Sequence, residues 1–469
     1  MRLFKKLMQF SVGSVIVLIL GFISQPIITR IISPVEMGKF SVFNTILSLL
    51  MVFIIMGLDQ AYGRFFYEEN QVDLFRFCIK IPIFTCTCVC AIIAIFYKEL
   101  THYLVGESSL LCMIMVVTFL FGNVVYSFQL LYVRMSQQAH KYSLYTVLVK
   151  VLYLIFVVVI YKFLNDNYMV LVVATVLSYY CVIMVASIID KKFYQQVICG
   201  EKQIISTQKI LKYSIPLILT TALSWLFQSV DKIMIKSFSG YKEVGIYAGA
   251  ITIVNMLNAL QSMFTTFWVP VAFEHYAEYP NDREFYSIVN EVVSFVMLLG
   301  ATVLISCKDI LGYILGTRYS QSIVVFPFLV FMPIMYTISE TTVVGINFKE
   351  KTNRHIIITL VSALANCVGN YFLVPIWGAK GAAISTGLSY VILFALRTFF
   401  SNCYYKVNFK LKKFIVSGIV VYFIAILNSF KAISFITILS GGISVLVICV
   451  MYRNILKEGV QLIRNRYIN

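Results

Sequence analysis

The chain has 469 residues, of which 60% are hydrophobic and only 13% are charged. A soluble domain carries about 25% charged residues, so this composition excludes a water-soluble enzyme, and so many apolar side chains exclude a disordered scaffold. The net charge of +17 would suggest a nucleic-acid partner in a soluble protein. In a membrane protein the positions of the cations matter more than their sum, and we predict no nucleic-acid partner.

Apolar segments long enough to cross a bilayer recur along the whole chain. About 20 apolar residues span the hydrocarbon core. The first segment follows Arg2, Lys5 and Lys6, but no small-residue cleavage site ends it, so it is predicted to be a membrane helix and not a signal peptide. The sequence predicts an all-α polytopic membrane protein with about fourteen transmembrane helices, at 10–31, 40–62, 77–97, 110–132, 143–161, 168–189, 213–236, 245–268, 286–306, 322–346, 355–375, 380–400, 413–430 and 432–452.

The distribution of Lys and Arg predicts the orientation of these helices. With the N-terminus inside, 26 of these residues lie on the inner side and 11 on the outer side, while Lys150 lies within a span. Cytoplasmic loops are the ones enriched in Lys and Arg. Both termini are therefore predicted to be cytoplasmic, in a multi-pass membrane protein.

A short motif occurs twice, six spans apart. Residues 36–40 (EMGKF) and 243–247 (EVGIY) both precede a predicted helix, and the aromatic and acidic patches 65–68 (FFYE) and 273–276 (FEHY) follow at similar distances. Six intervening spans give both copies the same orientation, so we predict two six-helix lobes in parallel repeat plus a terminal helix pair. The predicted regions are an N-terminal lobe at 1–190, a cytoplasmic linker at 191–212, a C-terminal lobe at 213–400, and a last helix pair with a cytoplasmic tail at 401–469.

Ionisable residues inside spans are the strongest candidates for function. Burying one in hydrocarbon costs on the order of 3 kcal/mol or more, so such residues face protein or a water-filled cavity. Lys150 is the deepest cation and Glu340 the deepest acid. Five others lie nearer the ends of spans, where snorkelling of arginines or structural ion pairs (Asp59 with Arg64, Asp231 with Lys232) are the alternatives: Arg30, Asp59, Arg64, Asp231 and Arg397.

Neutral polar residues and missing motifs narrow the function further. Asn366 and Asn370 are four residues apart on one helix face, where they suit either sugar hydroxyls or hydrogen bonds between helices. The four histidines are far apart in the sequence, and no GxxxxGK[ST] phosphate-binding loop is present. We therefore predict that the protein is not an enzyme and has no cofactor or metal.

Two segments resemble a known family. Residues 29–40 (TRIISPVEMGKF), and 231–235 (DKIMI) followed by 243–248 (EVGIYA), are similar to bacterial polysaccharide-export flippases. These are the O-antigen and capsule repeat-unit translocases of the multidrug/oligosaccharidyl-lipid/polysaccharide exporter superfamily. The resemblance implies transfer of an undecaprenyl-diphosphate-linked oligosaccharide from the inner to the outer leaflet of the bacterial cytoplasmic (inner) membrane, by ion-coupled alternating access of two lobes. The acidic loop 269–285 departs from the basic character expected of a cytoplasmic loop.

The resemblance gives the candidate residues specific roles and partners. A diphosphate needs cations, the sugars need amides, and an acid that changes its protonation can couple transport to H⁺ or Na⁺. The partners implied are membrane lipids, the lipid-linked oligosaccharide, a polysaccharide polymerase and a chain-length regulator. A lipid II-type flippase, a multidrug or cation antiporter and, less strongly, a membrane polysaccharide polymerase are the alternatives. The predicted substrate-binding residues are Lys150, Arg30, Arg64, Arg397, Asn366 and Asn370, and the predicted ion-coupling residues are Glu340, Asp59 and Asp231.

Overall fold

The computed structural model describes residues 2–200, 205–430 and 435–457. Within these segments every regular element is a helix, which confirms the predicted all-α fold class. The chain divides into two compact units, Met1–Ile233 and Met234–Asn469. That boundary lies within the seventh predicted span, whereas the linker was predicted at 191–212. Residues 201–204 of the linker, the start of the last predicted span and residues 458–469 of the tail lie outside the described segments.

The first unit contains nine complete helices within the described residues, and part of a tenth. Proline begins the second helix, because its missing N–H leaves no bond unmade there. The helices are α1 (Arg2–Ile31), α2 (Pro34–Ile55), α3 (Leu58–Phe65), α4 (Gln71–Ile95), α5 (Tyr97–Val105), α6 (Leu110–Met135), α7 (Ala139–Leu164), α8 (Met169–Ile189), α9 (Lys191–Cys199) and α10 (Thr207–Glu278), of which the last continues into the second unit.

The second unit continues with eight more helices in the described segments and one short 3₁₀ turn at Thr317–Tyr319. Three consecutive helices, separated at Val330 and Val343, occupy the tenth predicted span. The helices are α11 (Arg283–Ser306), α12 (Lys308–Leu315), α13 (Ser322–Leu329), α14 (Phe331–Thr342), α15 (Val344–Phe348), α16 (Asn353–Tyr404), α17 (Leu411–Phe430) and α18 (Phe435–Met451).

Ten of the helices in the described segments are long and apolar enough to cross a membrane. Two of these, α10 and α16, are interrupted by glycines with positive φ: Gly240 (φ 81°) and Gly378 (φ 54°). Only glycine adopts such angles readily, and both breaks fall where two predicted spans meet. Shorter apolar stretches of α1 and α18 lie at Val15–Ile31 and Ile436–Met451. The polytopic class is confirmed, while the number fourteen stays a prediction.

The repeated motif forms the same joint in each unit. The carboxylate of Glu36 accepts a hydrogen bond of 2.8 Å from the backbone N–H of Tyr168, just before α8 begins. The carboxylate of Glu243 accepts one of 2.9 Å from the N–H of Ala379, just after the break at Gly378. An acid at this position satisfies an N–H that a helix start leaves unpaired and complements the helix dipole. The matched chemistry supports the predicted duplication.

The aromatic patches of the repeat also occupy corresponding joints. In the first unit, the hydroxyl of Tyr67 donates a 2.7 Å hydrogen bond to the carbonyl of Met135, at the end of α6. In the second unit, the ring of Tyr276 stacks on Phe348 with centroids 4.0 Å apart, and its hydroxyl accepts a 3.2 Å bond from Lys349. Tyr67 therefore joins the segment after the second predicted span to the segment after the fourth, and Tyr276 joins the segment after the eighth to the segment after the tenth.

Candidate functional site

Lys150 is an exposed cation in the middle of a long apolar helix of the first unit. It lies on α7, and its ammonium makes no hydrogen bond or ion pair with the residues that the structure describes. The exposed residues Leu144, Ile155 and Lys162 mark one line along α7. At about 100° per residue, Lys150 projects about 120° away from that line. The ammonium therefore opens onto a different surface of the unit from this line of exposed residues.

Two further candidates of the first unit are exposed at helix ends. Arg30 lies in the last turn of α1, where a cation complements the helix dipole. Asp59 lies in the first turn of α3, directly after a break at which Met56 (φ 54°) and Gly57 (φ 70°) both adopt left-handed angles. Among the described residues neither side chain has an ion-pair partner. Both charges are therefore open to a ligand or to water.

Arg64 is neutralised by its neighbours. Its guanidinium pairs with the carboxylate of Glu68 one helical turn later, and Lys209 donates a 2.9 Å hydrogen bond to the same carboxylate. The hydrogen bonds from Lys209 and then Arg64 hold the pKa of Glu68 below its ordinary value. Since Arg64 pairs with Glu68, the alternative pairing with Asp59 is not formed. Arg64 is thus part of a surface ion-pair cluster.

The most buried charged pair among the predicted residues lies in the second unit. The guanidinium of Arg397 donates hydrogen bonds of 2.6 Å to a carboxylate oxygen of Glu340 and 2.9 Å to the hydroxyl of Ser339. Its central carbon lies 4.5 Å from the ring centroid of Tyr336. The two charged side chains are 12% and 9% exposed. This charge pair joins α14 to α16 in a position where either charge alone would be costly.

The segment that carries Glu340 is held by neighbouring helices as well. The indole N–H of Trp268 donates a 3.0 Å hydrogen bond to the backbone carbonyl of Glu340. The amide of Asn290 donates one of 2.8 Å to the hydroxyl of Thr341. Because these bonds hold Glu340 and Thr341 in place, a proton or cation that reaches the carboxylate of Glu340 competes directly with Arg397.

Asn366 and Asn370, the two predicted amides, form hydrogen bonds with each other and with residues beyond the break at Gly378. Asn370 donates a 2.5 Å hydrogen bond to the side-chain oxygen of Asn366, and both residues are fully buried. Ser385 donates a 2.8 Å bond to the carbonyl of Asn366, and the amide of Asn366 lies 3.5 Å from the hydroxyl of Thr386. These contacts match the interhelical alternative. The sugar-binding role stays a prediction, as does ion coupling by Asp231, which is buried on α10.

Several residues of the charged pair's surroundings were not predicted. Tyr336 lies four residues before Glu340 on the same helix, a spacing that places side chains together. Ser339 is adjacent to Glu340, so both were detectable from the sequence. Trp268 lies 72 residues away on α10 and had no local signal. Its contribution depends on how the helices pack.

Comparison with known families places the chain. A family model described as "Polysaccharide biosynthesis protein" matches residues 3–276, which is more than half of the sequence. The chain belongs to this family. The match includes residues 29–40 and 231–248, so the family resemblance of these two segments is confirmed.

Relatives of the chain share its membrane fold. An uncharacterized membrane protein of Methanocaldococcus jannaschii is 22% identical over 421 residues, which cover 82% of this chain and 81% of the relative. The lipid II flippase MurJ in an inward closed conformation superimposes with a TM-score of 0.72 at 13% identity, over 95% of this chain and 99% of the flippase. An inward-facing multidrug resistance MATE family transporter of the MOP superfamily gives 0.63 at 13% identity, over 83% and 94%. This family member therefore has the fold of these transporters.

Proposed function

We propose that this protein is a flippase that moves a polyprenyl-diphosphate-linked oligosaccharide from the inner to the outer leaflet of the bacterial cytoplasmic membrane. Its family is described by polysaccharide biosynthesis, and its fold is that of a flippase for another lipid-linked saccharide. The oligosaccharide is a repeat unit of O-antigen or of a capsular or exopolysaccharide. Both termini face the cytoplasm, as the Lys and Arg distribution indicates.

The observation that carries this proposal is the environment of Lys150. An unpaired ammonium within a membrane helix is expensive unless it reaches water or binds an anion. Lys150 points away from the line of exposed residues on α7 and has no acidic partner among the described residues. A diphosphate supplies oxygens that form strong, charge-assisted hydrogen bonds with such a group. A transporter of cationic drugs would instead place an acid in this position.

The remaining candidate residues are assigned either to substrate binding or to ion coupling. Arg30 is exposed and has no ion pair with any residue that the structure describes, so it is the second cation that we assign to the diphosphate. Arg64 and Arg397 already pair with carboxylates and contribute to binding only when those pairs open. Glu340 is the acid that we assign to ion coupling, because protonation or Na⁺ binding would weaken its bond to Arg397. Asp59 and Asp231 are secondary coupling candidates.

Deletion of the protein in its host tests the proposed function. The deletion strain should lose its surface polysaccharide and accumulate complete lipid-linked repeat units on the inner leaflet, and the intact protein should restore export. Lectin-accessible repeat units accumulating singly on the outer leaflet would indicate a polymerase instead. Unchanged surface polysaccharide in a strain without a second flippase, together with increased drug sensitivity, would overturn the proposal in favour of multidrug export.

A further inference from the structure

A cavity of about 1000 Å³ lies in the second unit, along the end of α16 and the beginning of α17. Its wall on α16 includes Val391, Ala395, Phe399 and Cys403. These residues recur every four positions, so they share one face of the helix. Ile415 on α17 closes the opposite wall. The result is a cleft with a largely apolar lining.

Two cations lie at one end of this cleft. Arg283 begins α11, and Lys406 lies between α16 and α17; both line the cleft and both are exposed. Neither forms an ion pair with a residue of the described segments. The neighbouring carboxylate of Asp282 is already engaged by His275, at 2.9 Å, and by the N–H of Phe285. The guanidinium of Arg283 also lies over the ring of Tyr405, 5.5 Å from its centroid, a contact that leaves the charge un-neutralised. Two positive charges therefore remain at the cleft opening.

The dimensions of the cleft match one leaflet of a bilayer. From Val391 to Cys403 the helix rises by about 18 Å, at 1.5 Å per residue. Half of the hydrocarbon core is about 15 Å thick. The cations lie at the end where α16 stops and the polar connecting segment begins. The apolar wall thus extends from the headgroup level towards the middle of the membrane.

We propose that this cleft binds one anionic phospholipid of the surrounding leaflet, which is the cytoplasmic leaflet in the predicted orientation. Arg283 and Lys406 bind the headgroup phosphate, and an acyl chain packs against the α16 face of Val391, Ala395 and Phe399. Cations near a membrane surface favour anionic lipids, and an acyl chain gains free energy with each buried methylene. The proposal concerns a resident lipid and does not depend on the transported substrate.

Native mass spectrometry of the purified full-length chain tests this lipid site. The protein is mixed with phosphatidylglycerol or with phosphatidylcholine that has the same acyl chains, and the bound lipid is counted. We expect retention of phosphatidylglycerol over phosphatidylcholine, and a loss of about tenfold or more in the double variant R283Q/K406Q. The matched control K191Q/K192Q removes two exposed lysines from the start of α9 in the first unit and should bind as the unaltered chain does.

A second variant tests the apolar wall separately from the charges. Ala395 is exposed, so A395W should fill the cleft without disturbing the packed helices, which an unchanged unfolding temperature would verify. This variant should lose phosphatidylglycerol while both cations remain. Equal retention of both lipids, unchanged binding in R283Q/K406Q, or full competition by soluble glycerol phosphate would each overturn the proposal, because each removes the headgroup or the acyl chain from the interaction.

Discussion

Two predicted substrate-binding cations, Lys150 in the first unit and Arg397 in the second, lie in opposite environments. In the first unit, Lys150 is exposed and has no ion pair within the described residues. In the second unit, Arg397 is largely buried and is bound to Glu340 at 2.6 Å. An exposed, unpaired ammonium accepts an anion without losing another contact. A buried pair accepts an ion only by breaking. Lys150 therefore suits the binding of an anion, whereas the Arg397–Glu340 pair suits a switch between a paired and an open state.

The largest effect is expected when one partner of the buried pair is removed. Arg397→Ala leaves the carboxylate of Glu340 buried without its cation, a change that typically costs about 3–5 kcal/mol of stability. Thermal unfolding of the purified protein should show this loss. The double variant E340Q/R397Q keeps a polar side chain at both positions without leaving a lone charge, so it should recover much of the stability. If R397A left the unfolding temperature unchanged, that result would contradict a buried Arg397–Glu340 pair.

The next largest effect is expected on export when Lys150 is changed. A hydrogen bond to a charged group contributes about 1.5–3 kcal/mol, which corresponds to about 10- to 100-fold in transport rate. Lys150→Ala should therefore reduce export of surface polysaccharide by about that factor without changing the unfolding temperature, and Lys150→Arg should retain most activity. Lys162→Ala, which removes an exposed lysine at the end of the same helix, is the matched control. Normal export by K150A would remove Lys150 from the binding site.

The fold class and the unusual charged residues could be predicted from local features of the sequence. Composition and apolar runs predicted the all-α polytopic class, because burial in lipid leaves the sequence few alternatives. The cost of charge in hydrocarbon also identified Lys150, Glu340 and Arg397 as unusual. The repeat motif, read only as a similarity at Glu36 and Glu243, proved to mark two equivalent helix-start contacts.

The contact partners of these residues could not be predicted from the sequence. Glu340 and Arg397 lie 57 positions apart, and the prediction placed them in separate roles, as an ion-coupling acid and a substrate-binding cation. Their pairing depends on how α14 packs against α16, which no local pattern records. The pair of Arg64 with Glu68 differs, because the two residues are four positions apart. Side chains at that spacing meet on a helix, so this pair could be predicted from the sequence.

The repeated joints give a smaller and more symmetric test of the two units. Glu36→Ala and Glu243→Ala each remove the acceptor of one helix-start N–H, so each should lower stability by about 0.5–2 kcal/mol. Each acid also has a lysine nearby, since Glu36 pairs with Lys39 at 3.0 Å and Glu243 interacts electrostatically with Lys380, so the two losses should be similar. Glu107→Ala, an exposed acid 3.8 Å from the same lysine, is the control and should change the unfolding temperature little. A large loss in only one of the two variants would argue against equivalent joints.

The smallest effect is expected at the acidic loop of the second unit. Asp282 accepts hydrogen bonds from the N–H of Phe285 and from the ring of His275, and these hold the pKa of its carboxyl below the ordinary value. The ionised form therefore stabilises the fold at pH values above that ordinary value, and the contribution disappears as the pH falls through the lowered pKa. Asp282→Asn should slightly lower the unfolding temperature at pH 7 and should match the unaltered protein in strong acid. A difference that persists unchanged into strong acid would mean that the carboxylate charge is not what stabilises the start of α11. The acidic character of the loop would then need an explanation other than helix capping.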